Sequence, residues 1–365
     1  MKRALLCMAA GLILAVSTSF AEAKPRVEVT FVLDSTGSMG GLIEGAKQKI
    51  WSIANSIVSR KPTPEVRIGL LTYRDRGDEY VTRKFDLTDD IDAVFKNLQT
   101  ITADGGGDDP ESVNQALHEA VAGMSWTEDR KVLKIIFLVG DYPPHMDYAD
   151  DVKYPVTCRD AVKRGVIIDT VQCGEVSETT AVWREISRLS EGSYIALAQS
   201  GNMTVVTTPF DTEIARTSEE IGSTVVAYGE KDSQEAARSK VSKAAEAPAA
   251  VAADRAAFNL ATGGKAIQGV GDLVADSAEG KVDLGRLKNG ELPPEMQKMT
   301  PAERAAYLGM QKERREGLNK KLAELAQKRA AWLVQEQKRI ASTTRGDSFD
   351  TRVAEIISAQ AARAQ

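Results

Sequence analysis

Strand-like and helix-like segments alternate from Lys24 to about residue 228, and few folds accommodate such an alternation. Six segments are predicted to be strands: Val27–Leu33, Val66–Tyr73, Val81–Leu87, Val132–Val139, Val166–Gln172 and Ser193–Ala198. With helix-like segments between them, the pattern predicts an α/β fold with a doubly wound, mostly parallel sheet. The third strand follows the second after a turn too short for a crossover, so we expect it to be an antiparallel edge strand.

The first predicted strand ends at a group of oxygen-bearing side chains. The apolar run Val27–Leu33 is typical of a strand that is buried on both faces. It is followed at once by Asp34, Thr36 and Ser38. In open α/β sheets, ligands bind at the carboxyl ends of the strands. A carboxylate and two hydroxyl groups at that edge suit a hard cation such as Mg²⁺.

Two further polar loops are predicted at the same edge of the sheet. One is the acidic, glycine-rich stretch 103–111, in which Asp109 and Pro110 are expected to be the N-cap and the first-turn proline of the next helix. That assignment leaves Asp108 free to point into the site. The other loop follows the fourth strand and begins with Asp141. Three such loops favour one shared cation site over three unrelated turns.

The stretch Asp34-Ser-Thr36-Gly-Ser38, taken with the glycine-rich loop and Asp141, resembles the metal-ion-dependent adhesion site of von Willebrand factor type A domains. The resemblance covers roughly residues 24–229. It implies that Thr36 and Ser38 bind the metal through their hydroxyl groups. It also implies that Asp34 and Asp141 act directly or through water.

One position departs from the pattern of the adhesion-type members. Asp108 stands where those members usually offer a threonine, and we expect it to be a metal ligand in this chain. A third carboxylate makes the metal less electrophilic, so a carboxylate of a partner should bind more weakly or a water should be retained. Glu111 is a second candidate for the loop ligand, but its place favours a role at the helix N-terminus.

Residues 1–23 have the pattern of a cleaved secretory signal peptide. Two basic residues precede the apolar run Leu5–Val16, and cleavage is expected after Ala23, with Ala21 as the alternative. The apolar run is too short to span a bilayer comfortably, so we expect a periplasmic or secreted protein without a transmembrane segment after cleavage. The leader has two basic residues and one acidic residue, so its removal takes the net charge from −5 to −6. This balance gives no reason to expect nucleic-acid binding.

Two cysteines, Cys158 and Cys173, lie beyond the leader. Export would place them in an oxidising compartment. Cys158 lies near the start of a predicted helix and Cys173 at the end of the next strand, and these two points share one edge of the sheet in a βαβ unit. A disulfide between them is therefore expected, with two separately buried thiols as the alternative.

The chain therefore divides into four predicted parts. A signal peptide occupies residues 1–23, and the domain similar to von Willebrand factor type A domains occupies residues 24–229. A linker or irregular region, rich in alanine and then in glycine, occupies residues 230–299. A helical C-terminal region occupies residues 300–365.

The helical C-terminal region begins with a clear start signal. Thr300-Pro-Ala-Glu303 combines a threonine N-cap with a glutamate that reaches back to it, and the helix is expected to run to about Ile340. An apolar stripe, interrupted by Arg329, is formed by Leu318, Leu322, Leu325 and Trp332. We favour a solvated helix along the body of the protein over a coiled coil that binds a partner.

These features predict an exported domain that binds a partner protein through Mg²⁺, with Mn²⁺ or Ca²⁺ as alternative ions. The metal would keep one coordination position for an acidic side chain of the partner. No enzymatic activity is expected, because the chain has two histidines and the site has no clear general base. A periplasmic assembly or maturation factor is the first alternative, and a metal-dependent hydrolase is a less favoured one.

Overall fold

The structure is a computed structural model that describes residues 24–107, 109–341 and 348–363. The predicted leader and Asp108 lie outside the described residues. The strands are β1 (Arg26–Asp34), β2 (Glu65–Tyr73), β3 (Thr82–Thr88), β4 (Leu133–Gly140), β5 (Val166–Cys173) and β6 (Tyr194–Leu197). They form one sheet in the order β3-β2-β1-β4-β5-β6, and only β3 is antiparallel to its neighbour. The predicted doubly wound sheet with an antiparallel edge strand is confirmed.

The helices lie on both faces of this sheet and beyond it. They are α1 (Gly40–Val58), α2 (Ile91–Gln99), α3 (Val113–Gly123), α4 (Tyr154–Arg164), α5 (Ser177–Leu189), α6 (Asp211–Gly222), α7 (Lys231–Glu246), α8 (Ala249–Ala261), α9 (Leu273–Ala278), α10 (Pro294–Gln297), α11 (Pro301–Ala341) and α12 (Phe349–Arg363). Helices α1, α2, α8 and α12 cover one face, and α3, α4 and α5 cover the other. Among the described helices, none combines the length and the apolar character needed to cross a membrane.

Strand β1 lies at the centre of the sheet, and its side chains are buried from Val27 to Asp34. A central strand with helices on both sides favours apolar residues on both of its faces, which explains why most of its residues are apolar. Phe31 stacks on Phe137 of β4 beneath α1, with ring centroids 5.6 Å apart, whereas Val32 faces the layer of α3, α4 and α5. The strand therefore delivers Asp34 to the carboxyl edge of the sheet.

Residues 230–299 contain more helix than their composition predicted. Helix α8 packs on α1, where the ring centroids of Phe258 and Trp51 lie 5.6 Å apart. Arg255 of α8 makes a buried two-point ion pair with Asp92 of α2, at 2.7 and 2.9 Å. These contacts join the C-terminal half of the chain to the α/β domain.

Helix α11 begins as predicted, but its buried stripe differs from the apolar stripe that the sequence predicted. Thr300 N donates to Glu303 Oε2 at 2.7 Å, and Glu303 N donates to Thr300 Oγ1 at 3.4 Å. One stripe of buried or half-buried positions follows a 3–4 spacing and comprises Leu308, Gln311, Arg315, Leu318, Leu322, Leu325, Arg329 and Trp332. Arg329 is part of this stripe, because its Nε donates to Asp211 and its Nη1 to Asp254, both at 2.7 Å.

Helix α12 returns to the sheet and completes the layer of α1 and α2. The ring of Phe349 lies 6.2 Å from that of Phe31, and Val353 is buried in the same cluster. Gln360 Nε2 donates to both carboxylate oxygens of Asp169 on β5, at 2.8 Å each. The last described helix is therefore part of the core of the α/β domain.

The expected disulfide between Cys158 and Cys173 is wrong, because both are free, buried thiols. Cys158 packs on the face covered by α3, α4 and α5, whereas the side chain of Cys173 points to the opposite face. The expectation placed both residues at one edge but took no account of the face, and the sheet separates them. Burial raises the pKa of the Cys158 thiol to about 12 and raises that of Cys173 as well. Both thiols are therefore protonated and unreactive at neutral pH.

Candidate metal centre

Asp34 is the innermost of the predicted ligands. It ends β1 and is fully buried. Its Oδ1 accepts hydrogen bonds from the main-chain N of Thr36 at 2.9 Å and from Thr36 Oγ1 at 2.6 Å. Thr36 Oγ1 lies 3.3 Å from the hydroxyl oxygen of Ser38, which is exposed. A chain of oxygen atoms thus leads from the buried strand end to the surface.

Asp141 follows β4, the neighbour of β1, and is also buried. Its Oδ2 accepts a hydrogen bond from Gln199 Nε2 at 2.7 Å. A Cβ atom on Gly140 would come 2.3 Å from Tyr73 Oη and 3.2 Å from Asp34 Oδ2. Glycine is therefore required here for the two aspartates to end adjacent strands side by side.

Glu111 is a third carboxylate of the site, and the expectation that it serves a helix N-terminus is not met. Its main-chain N donates to Pro143 O at 2.9 Å, and its O accepts from His145 N at 3.0 Å. This pairing holds Glu111 against the loop after β4, with its side chain buried. A Cβ atom on Gly106 would come 3.3 Å from Glu111 Oε1 and 3.1 Å from Thr36 Cβ. The Glu111 carboxylate therefore lies near Thr36, beneath the glycine loop.

Asp109 is not the N-cap of α3, contrary to the prediction. The N-cap is Ser112, and Asp109 is exposed. Ser112 Oγ donates to Asp75 Oδ1 at 2.7 Å instead of capping the helix. The pairing of Glu111 with the neighbouring loop delays the helix start, so the Asp-Pro signal marks the end of the glycine loop and not the first turn.

Burial and neighbouring carboxylates raise the pKa of Asp34 and that of Glu111. Burial, followed by the charge of Asp141, raises the pKa of Asp34 to about 8. Burial, followed by the charges of Asp34 and Asp75, raises the pKa of Glu111 to about 9. Several carboxylates in one buried site disfavour their ionised forms unless a cation lies among them.

Each of three carboxylates has one oxygen without a hydrogen-bond partner: Asp34 Oδ2, Glu111 Oε2 and Asp141 Oδ1 are all buried. Buried polar atoms are ordinarily paired, so these oxygens fit a bound cation. In the part of the chain that the structure describes, no three His, Cys, Asp or Glu side chains form a complete ligand set. A cation would therefore also need the hydroxyl groups of Thr36 and Ser38, a donor set of oxygens that suits a hard ion.

The structure places four of the five predicted metal-site residues at the same edge of the sheet: Asp34, Thr36, Ser38 and Asp141. Their role as ligands, and that of Asp108, stays a prediction. Glu111 was expected at a helix N-terminus, and Gln199 is not among the predicted site residues. No local pattern identifies Gln199, because its contact depends on the path of the loop after β6 across the sheet edge.

A mostly parallel sheet with helices on both faces and a polar site at the carboxyl end of its central strand defines a doubly wound α/β domain. The model of the von Willebrand factor A domain family matches residues 28–207. Together with the fold, this match supports a von Willebrand factor A domain in that part of the chain.

Similar proteins cover parts of the chain. Ariadne-like RING finger protein R811 of Acanthamoeba polyphaga mimivirus is 27% identical over 119 residues, which are 33% of this chain and 11% of that protein. The SpRpn10 VWA domain has a TM-score of 0.38 at 17% identity and covers 49% of this chain and 91% of its own. Proximal thread matrix protein 1 from the mussel byssus, with a zinc-occupied MIDAS motif, has a TM-score of 0.36 at 19% identity and covers 48% of this chain and 42% of its own. These structural likenesses concern the fold alone.

Proposed function

We propose that this chain is an exported, non-catalytic protein that binds a partner protein through a Mg²⁺-dependent adhesion site. A von Willebrand factor A domain is in general a module for protein interaction or adhesion. One observation supports the finer assignment to a metal-dependent site. Three buried carboxylates, those of Asp34, Glu111 and Asp141, each have an unpartnered oxygen. The Thr36 hydroxyl group lies 2.6 Å from the other carboxylate oxygen of Asp34 and 3.3 Å from the Ser38 hydroxyl group.

In this proposal, Thr36 and Ser38 hold the ion through their hydroxyl groups, and the aspartates hold it directly or through water. Mg²⁺ is the first choice because it accepts an octahedral set of oxygens and retains waters, with Mn²⁺ and Ca²⁺ as the alternatives. An acidic side chain of the partner replaces one water. A further carboxylate, from Glu111 or Asp108, lowers the positive charge that the partner meets, so reversible and modest binding is expected.

Titration calorimetry of chelator-treated protein tests the metal site. Wild-type protein is expected to bind one equivalent of Mg²⁺, and the same titration with Mn²⁺, Ca²⁺ and Zn²⁺ ranks the ions. Asp34→Asn, which preserves the shape of the side chain, should abolish binding, and Glu111→Gln should weaken it about tenfold or more. Asp232→Ala, at an exposed position on α7, is the matched control. Equal Mg²⁺ binding by wild type and Asp34→Asn would refute the proposed site.

Affinity capture tests the partner. Immobilised full-length protein is mixed with envelope extract in the presence of Mg²⁺, and bound proteins are released with EDTA. A partner should be released by the chelator and should be missing from a column that carries Asp34→Asn. Capture that is equal with and without the chelator would mean that the partner is not held through the metal.

Export is the third part of the proposal, and residues 1–23 support it. After expression of the full chain in a bacterial host, mass spectrometry of the exported fraction should find a protein that begins at Lys24. A protein that keeps the intact leader and stays in the cytoplasm would contradict export.

A further inference from the structure

The loops around the candidate metal centre carry far more negative than positive charge. They are residues 34–40, 74–81, 103–112, 141–153 and 174–176, all at the carboxyl edge of the sheet. Their described acidic residues are Asp34, Asp75, Asp78, Glu79, Asp104, Asp109, Glu111, Asp141, Asp147, Asp150, Asp151 and Glu175. Their described arginine and lysine residues are Arg74, Arg76 and Lys153, and His145 lies beside Asp75 and Asp147. Because the whole chain has a net charge of only −5, the negative charge is concentrated on this acidic face.

The basic groups of the acidic face are already engaged. Arg74 is buried and donates to two main-chain carbonyl oxygens, at 3.2 and 2.8 Å. Arg76 pairs with two aspartates, at 2.9 and 2.8 Å. Lys153 donates to the carbonyl oxygen of Tyr148. A divalent ion in the site would offset only two negative charges, so the face stays acidic when the ion is bound.

Aromatic rings on the acidic face lie among the carboxylates. The guanidinium group of Arg76 lies 4.0 Å over the ring centroid of Tyr148, and that of Arg74 lies 4.5 Å over the ring centroid of Tyr80, so the face already holds two cations against rings. Tyr142, which directly follows Asp141, is half-buried. A ring next to carboxylates attracts a lysine or arginine side chain through both its quadrupole and the nearby charges.

We propose that the partner presents a basic protein segment, in which lysine or arginine residues flank the one carboxylate that reaches the ion. This inference rests on the proposed function and adds the chemistry of the partner. The flanking cations offset the electrostatic repulsion between the carboxylate of the partner and the carboxylates that already surround the ion. The acidic face repels acidic segments, nucleic acids and anionic lipid surfaces, which leaves a basic protein as the complementary ligand.

Three synthetic peptides of equal length test the inference. The first has one glutamate among lysines and glycines, the second has glutamine in place of that glutamate, and the third has one glutamate among serines and glycines. Calorimetry with full-length protein and Mg²⁺ should show the lysine–glutamate peptide binding at least about tenfold more tightly than either of the others. The advantage over the serine peptide should shrink when the salt concentration rises from about 20 mM to about 0.3 M, because exposed charges are screened.

A set of rim variants adds a test on the protein side. Glu79→Gln, Asp109→Asn and Glu175→Gln together remove three exposed charges from the acidic face and should weaken the lysine–glutamate peptide about tenfold at low salt, with Mg²⁺ binding unchanged. The matched control removes three exposed charges from the outer face of α11 by Glu313→Gln, Glu316→Gln and Glu324→Gln. This control should bind the peptide as wild type does.

The outcomes separate this inference from the proposed function. If the serine peptide binds as tightly as the lysine peptide, or if both triple variants bind alike, the partner is not basic, whereas metal-dependent binding still stands. If EDTA leaves the affinity of the lysine–glutamate peptide unchanged and the serine peptide stays weaker, the basic partner stands and the metal bridge is wrong. If none of the peptides binds, the basic partner is overturned, and the Mg²⁺ titration of wild type and Asp34→Asn judges the metal site by itself.

Discussion

Phe349→Ala tests whether α12 belongs to the core of the α/β domain. The Phe349 side chain is 2% exposed, and its ring lies 6.2 Å from that of Phe31 on the central strand. Removal of a buried phenylalanine ring lowers the free energy of unfolding by about 3–5 kcal/mol, since apolar burial is lost and a cavity remains. Domains are typically stable by about 5–15 kcal/mol, so the variant should lose a large part of the total.

Urea unfolding, followed by near-ultraviolet circular dichroism and tryptophan fluorescence, measures this loss for Phe349→Ala. Ser358→Ala is the matched control, because Ser358 is exposed on the same helix. The control should change the free energy of unfolding by no more than about 0.5 kcal/mol. If the two variants unfold at the same urea concentration, α12 is not packed against the sheet and the reasoning fails.

The two buried cysteines should resist alkylation in the native protein and should both react once it is unfolded without reductant, as read by peptide mass spectrometry; a disulfide-linked peptide would contradict the free thiols. Gly192→Ala should lower the free energy of unfolding by about 1–3 kcal/mol or more, because the added Cβ would lie 1.9 Å from a main-chain carbonyl oxygen. Gly309→Ala, in α11 with no atom within 4 Å of the added Cβ, should instead raise the free energy of unfolding by about 0.5–1 kcal/mol. If the urea midpoints of the two glycine variants shift in the same direction, these contacts are wrong. Arg329→Met should cost about 3–5 kcal/mol of stability because two aspartates lose a buried partner, and a wild-type urea midpoint would show that these ion pairs do not form.

The sequence predicted the α/β part of the fold closely because its signals are local. The predicted strand Val27–Leu33 corresponds to β1, since a strand buried on both faces is apolar at most of its positions. The start of α11 followed from the side chains of Thr300 and Glu303 alone. The docking of α12 had no such signal. The position of Phe349 against Phe31 depends on residues more than three hundred positions apart in the chain.

The residues of the candidate metal centre that follow strand ends were predicted from the sequence. The glycine-rich loop was misassigned, because two local signals compete there. Asp34 and Asp141 each follow a buried strand, and adjacent parallel strands bring them together. The Asp109–Pro110 pair has the pattern of a helix start, but the main-chain pairing of Glu111 with a different loop takes precedence. The wrong disulfide prediction has a related cause. One cysteine lies on a strand and the other on a helix, and the sequence alone does not show which face of the sheet that helix covers.

The packing of the C-terminal half also decides how its function must be tested. A deletion after Glu230 would remove α8 and α12 from the core of the α/β domain, including Val251, Phe258, Phe349, Val353 and Ile357. Each large buried apolar side chain contributes about 1.5–3 kcal/mol, so together they match the stability of a whole domain. Loss of partner binding after this deletion would report unfolding and not a role of the C-terminal part. Substitutions of exposed residues on α11, such as Lys320→Ser and Lys328→Ser, leave the core intact. If α11 grips a client, as an assembly factor requires, these variants should reduce capture while Mg²⁺ binding stays at the wild-type level.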